Sequence, residues 1–96
     1  MKPSEALAAH RDAVREIIAR YPVTHPRVFG SVLHGDDTEE SDLDILVDPT
    51  EETSIMSLVR LEVELRHLLG VEVDVITPEE LKAEFGADVL AEAMPL

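Results

Sequence analysis

The sequence predicts an α/β (α+β) fold, a small mixed β-sheet covered by helices. Short runs rich in Val, Ile, Leu and Phe, at 27–29, 42–47 and 71–76, read as strands, and residues 4–20 and 54–69 carry apolar residues at helical spacing. The helical stretch 54–69 lies between two of the strand candidates, as a crossover within one sheet requires. At 96 residues with 45% apolar content, residues 1–96 are expected to form one domain with one core, too small for a separate substrate lobe.

The first helix, residues 4–20, places Leu7, Val14, Ile17 and Ile18 near one face, with Ser4 as its N-cap and Pro22 just past its end. After the breaks at Tyr21-Pro22 and His25-Pro26, the strand Arg27-Val28-Phe29 runs into Gly30-Ser31. His34 to Ser41, with Gly35 and acids at 36, 37, 39 and 40, reads as a solvated loop leading to the strand Asp42 to Val47. Pro49 to Glu52 is a turn. The second helix, 54–69, aligns Ile55, Leu58, Leu61, Leu65, Leu68 and Leu69, and Gly70 ends it. Val71 to Ile76 is β-branched at its odd positions, and Thr77-Pro78-Glu79-Glu80 reads as a capping box with proline at N1. A last short helix or pair of helices, broken near Gly86, completes the chain.

Twenty-one acidic residues against eight basic ones give a net charge of −13, which repels nucleic acid and anionic membranes. Solubility alone would explain such a charge. A triphosphate would be repelled too, so a nucleotide site here requires divalent cations; a cationic protein surface is the other natural partner. With no cysteine, disulfides and thiolate metal sites are excluded. No signal-peptide pattern and no run of about 20 apolar residues occurs, so a soluble cytoplasmic protein is expected.

Asp42 and Asp44 stand two apart in a strand candidate and so point to one face, while Leu43, Ile45 and Val47 point to the other. In so acidic a chain a D-x-D pair arises easily by chance, but aspartate is disfavoured in strands, and a charge set in an apolar run is costly unless compensated. Asp74, between Val73 and Val75, repeats the anomaly, so three carboxylates could converge on one sheet face, with Glu72 on Asp74's side of its strand as a fourth. Crowded carboxylates with oxygen-only donors call for magnesium or manganese. Gly30-Ser31, where a strand ends, offers close backbone approach, free N–H groups and a hydroxyl to an anion; alone, such a pair is most often an ordinary turn.

The stretch from Phe29 through Gly30-Ser31, a loop of roughly ten residues, and Ser41-Asp42-Leu43-Asp44 to Val47 resembles the minimal nucleotidyltransferases of the DNA polymerase beta superfamily. The likeness extends over essentially the whole chain. It implies a nucleotidyltransferase fold of the polymerase beta type, with Gly30, Ser31 and His34 on the triphosphate of ATP. Asp42, Asp44 and Asp74 would bind two magnesium ions, and Asp74 would assist deprotonation of the attacking hydroxyl. The family commonly has alanine and arginine where this chain has Leu33 and His34, and a largely neutral imidazole cannot replace a bidentate cation. Small proteins of this kind are typically antitoxins of a helical HEPN ribonuclease toxin, onto whose tyrosine they transfer AMP. The resemblance thus implies a hetero-oligomer and an enzyme. The competing expectations are an antitoxin acting by stoichiometric binding and an enzyme modifying a small molecule.

Overall fold

A run in which apolar residues fill both faces of a strand belongs at the centre of a sheet, and Leu43-Asp44-Ile45-Leu46-Val47 is such a run. In a computed structural model describing residues 1–96, it forms one of the two inner strands of a four-stranded sheet. The elements in chain order are α1 (Pro3–Ala19), β1 (Val23–Phe29), α2 (Ser31–His34), β2 (Leu43–Pro49), α3 (Ile55–Leu69), β3 (Val73–Ile76), α4 (Pro78–Phe85), α5 (Ala87–Glu92) and β4 (Met94–Pro95). The sheet order is β3-β2-β1-β4. β1 pairs antiparallel with β2 and β4, whereas β2 and β3 are parallel through the α3 crossover, which makes the sheet mixed as expected.

One sheet face is closed by α1 and α3. Leu43, Ile45 and Val47 of β2 and Val73 and Val75 of β3 pack there with Leu7, Val14, Ile18, Leu61 and Leu65, all buried. The opposite face has a small apolar cluster of Phe29, Leu46 and Leu81, with Ile76, Val89, Leu90 and Ala93 against it. α4 and α5 cover that cluster and leave the rest of the face open.

The helix α3 keeps its expected bounds because both ends are specified: the Ser54 hydroxyl accepts from the Ser57 N–H at 3.1 Å, and Gly70 adopts φ 70° to end the helix. Its first apolar residue differs from expectation, since Ile55 is 81% exposed and lies off the core side. α1 begins at Pro3, preceded by Lys2, so Ser4 is not its cap; the Ser4 N–H instead donates to Asp37 Oδ2 at 2.8 Å. β1 is longer than expected, reaching back to Val23 across an irregularity between Thr24 and Arg27, where His25 sits at φ 51°. β3 begins at Val73 rather than Val71. Thr77 precedes α4 without a side-chain cap, its hydroxyl meeting Glu80 at 3.4 Å. The two-residue strand β4, absent from the sequence reading, pairs Met94 with Val28 and Pro95 with Arg27. No helix is long and apolar enough to cross a membrane.

Candidate active site

The open face carries a row of residues set by strand register. Phe29 of β1 is paired with Asp44 of β2, and Asp44 with Asp74 of β3, so the three side chains project from the same side of neighbouring strands. Leu43 and Ile45 face the closed core, which fixes Asp44 on the opposite side. Asp42 does not belong to β2, which starts at Leu43; it lies exposed in the loop just before the strand. It still acts on the same place, because its charge raises the proton affinity of both Asp44 and Asp74.

Gly30 is the residue that lets this corner close. It joins β1 to α2 at φ 78°, a conformation unfavourable for residues with a Cβ, and a Cβ built there would collide with Asp44 Oδ2. The backbone at the head of α2 is therefore packed directly against a carboxylate. Ser31 follows as the first residue of α2, partly buried, and its carbonyl accepts from the Asp36 N–H at 3.0 Å.

Two of the carboxylates, Asp44 and Asp74, have raised proton affinity. Burial lifts Asp44 to about 6, with the charges of Asp74 and Asp42 adding to the effect. Asp74 is raised as well, by burial first and then by Asp42, while the Arg66 guanidinium pulls the other way. Asp44 is half-buried and Asp74 exposed, so the cluster has a floor and a rim.

Oxygen-only donors that repel one another are the donor set of a hard divalent cation. The residues fit such a group, since a cation would offset the burial and the neighbouring charges that raise Asp44 and Asp74. The fit is not preassembled: no three His, Asp or Glu side chains converge at ligating distance, so Asp42, Asp44 and Asp74 would have to rotate onto an ion. Glu72 lies exposed, pairs with Arg66 Nε at 3.2 Å, and adds its charge to those that raise Asp74.

His34 occupies the end of α2, and its Nε2 lies 3.1 Å from Glu92 Oε2 of α5. Its partner is thus a carboxylate from 58 residues along the chain. Two other residues bear on the site's surroundings and escaped the sequence reading. Arg66 supplies the cation beside Asp74, and its Nη2 donates to the Val73 carbonyl at 3.1 Å. Asp37, placed by sequence in a solvated loop, is only 6% exposed and ties the loop after α2 to the start of α1. The loop's length and Asp37's position three residues after His34 gave no sign of this, because the partner is the backbone of Ser4.

Comparison with known proteins agrees with this geometry. Residues 9–96 match the nucleotidyltransferase domain family. Protein adenylyltransferase MntA of Thermococcus cleftensis is 40% identical over 88 residues, covering 92% of this chain and 86% of that protein. A solved structure provisionally described as a minimal nucleotidyltransferase is 42% identical, with a TM-score of 0.83 over 97% of this chain and 95% of that one. A toxin–antitoxin crystal structure with AMP-PNP shares the fold at 17% identity, with a TM-score of 0.73 over 88% of this chain and 69% of that one. The chain belongs to the nucleotidyltransferase domain family and is a nucleotidyltransferase, as the resemblance of its Gly30-Ser31 and Asp42-Leu43-Asp44 motifs implied.

Proposed function

We propose that this nucleotidyltransferase is a magnesium-dependent protein adenylyltransferase, which transfers AMP from ATP to a tyrosine hydroxyl of a helical HEPN ribonuclease toxin and so acts as its antitoxin. The observation that carries the reading is the placing of Asp44 and Asp74 in register on the open sheet face beside the Gly30 turn, with Asp42 just ahead of β2, in a chain 40% identical to a protein adenylyltransferase. Asp42, Asp44 and Asp74 would hold two magnesium ions, with manganese as a substitute. When bound, such ions neutralise the triphosphate and stabilise the leaving pyrophosphate during in-line displacement.

The chain's own residues have separable tasks. Gly30 and Ser31 present backbone N–H groups and a hydroxyl to the triphosphate. Asp44, half-buried on the floor, holds its carboxylate in place through packing against Gly30. Asp74, exposed on the rim, can be approached by an acceptor, and its raised proton affinity suits it to take the proton of the attacking hydroxyl at a carboxylate oxygen. The bond formed joins the acceptor oxygen to the α-phosphorus, and the bond broken releases pyrophosphate.

A second reading, neutralisation by stoichiometric binding, is favoured by the pairing of His34 with Glu92, which leaves α2 without a free cation for phosphate. Co-expression with a HEPN ribonuclease toxin, followed by intact-mass measurement with and without ATP, separates the two. A gain of one or more AMP units that vanishes in Asp42→Asn is the expected result. Neutralisation by Asp42→Asn without any mass gain would establish the binding antitoxin instead.

A further inference from the structure

The two helices after β3 bring an aromatic ring to the carboxylate end of the sheet. β3 leads away from Asp74, and α4 begins just beyond it at Pro78, covering β2 on the open face on its way back. The helix ends with Phe85, whose ring centroid lies 6.1 Å from that of Phe29 at an interplanar angle of 60°. Phe29 is 3% exposed, is paired in register with Asp44 and directly precedes Gly30. Phe85 is 54% exposed, so one side of its ring rests on Phe29 and the remainder is open to solvent. Gly86, at φ 87°, turns the chain immediately afterwards and leaves the ring at a corner.

We propose that Phe85 is the platform on which the base of the nucleoside triphosphate stacks, a role that rests on the nucleotide-transfer reading above. The chain has only two phenylalanines and one tyrosine, and Tyr21 donates to Glu64 at 2.7 Å at the start of β1, the far end of the sheet. Phe85 is therefore the aromatic ring with free surface beside the Gly30 turn. The net charge of −13 repels phosphate but has no like effect on a neutral base, so stacking adds affinity where the surrounding carboxylates oppose it. Stacking also tolerates any base with a large π-face, because it reads no hydrogen-bonding edge. The platform thus favours purines over pyrimidines and separates ATP from GTP weakly.

The test is calorimetric binding of ATP, GTP, CTP and inorganic tripolyphosphate, each with magnesium, to the full chain and to its Phe85→Ala and Phe85→Tyr variants. Base stacking on an aromatic ring is worth roughly 5- to 150-fold in binding, so Phe85→Ala should weaken ATP at least about fivefold. Tripolyphosphate binding should stay unchanged, and Phe85→Tyr should retain ATP affinity. In the wild type, the adenine ring protons should also shift upfield on binding, a readout independent of whether the alanine variant folds. Equal ATP affinity in wild type and Phe85→Ala overturns the platform. An equal loss of ATP and tripolyphosphate overturns it as well, since Phe85 would then act through Phe29 on the phosphate turn. A wild type that binds tripolyphosphate and ATP equally rules out the platform while leaving the transfer reading intact. A wild type that binds none of the four removes both.

Discussion

The two faces of the sheet are built to opposite rules. The face under α1 and α3 is closed and apolar, lined by Leu43, Ile45, Val47, Val73 and Val75. The other face, one residue out of phase on the same strands, carries Asp44 and Asp74 and is covered only around Phe29, Leu46 and Leu81. Alternation along a strand makes this possible, because successive side chains can meet unlike surroundings. The closed face supplies the stability that lets the open face hold carboxylates at a mutual disadvantage. The costs of perturbing each face should therefore fall on different observables.

The largest expected effect is on the open face. Asp44→Asn removes a charge on which cation binding would depend, and transfer should fall on the order of 1000-fold, in the range seen when one preorganised electrostatic group is lost. The same change should stabilise the metal-free protein at pH 7, because an amide is not penalised for standing beside Asp42 and Asp74. Single-turnover transfer and thermal unfolding without metal check the two halves. Loss of activity accompanied by loss of stability would mean that Asp44 supports the fold, and the contrast between the faces would collapse.

On the closed face the effect should be reversed. Leu65 is completely buried between α3 and the sheet, and Leu65→Ala should cost about 3 kcal/mol through lost transfer free energy and the cavity left behind. Denaturant unfolding measures it. Transfer by the fraction that remains folded should change less than about threefold, because no atom of Leu65 belongs to the carboxylate row.

What could be read from the sequence followed the same division. Residues whose role is fixed by local spacing were legible: the Leu43, Ile45 and Val47 alternation, the Ser54 and Gly70 bounds of α3, and the placing of Asp44 and Asp74 on one face. Gly30 was legible as a site of close approach, although the group it admits in the structure is Asp44. Residues whose role depends on a distant partner were not. Asp37 meets the start of α1, His34 meets Glu92, and Met94-Pro95 adds a strand to β1, each through a contact that no periodicity encodes. Ile55 fitted the helical spacing of the core yet faces outward, since it stands in the first turn, before α3 settles onto the sheet.

The smallest effect, and the one that separates the faces most finely, is in the pH dependence of stability. Asp44 keeps its proton up to about pH 6 in the folded chain, against an ordinary value of 3.8. Between those limits the folded state binds more protons than the unfolded one, so the metal-free protein should lose stability as pH rises from about 4 to 6 and little more above that. Asp74, raised in the same direction, adds to the slope. Because Asp44 is partly solvated, the loss should be on the order of 1 kcal/mol once screening is allowed for. Asp37 has the opposite sign. The Ser4 N–H holds its carboxylate below the usual range, so its contribution is present above pH 4 and is lost as pH falls through its lower folded value. Urea unfolding from pH 2.5 to 7 should accordingly show stability rising with pH in the acid limb and declining across the next two units. Asp44→Asn should flatten the decline and leave the acid limb, whereas Asp37→Asn should do the reverse. A decline that persists undiminished in Asp44→Asn would place the strained carboxylate elsewhere and undo the distinction between the two faces.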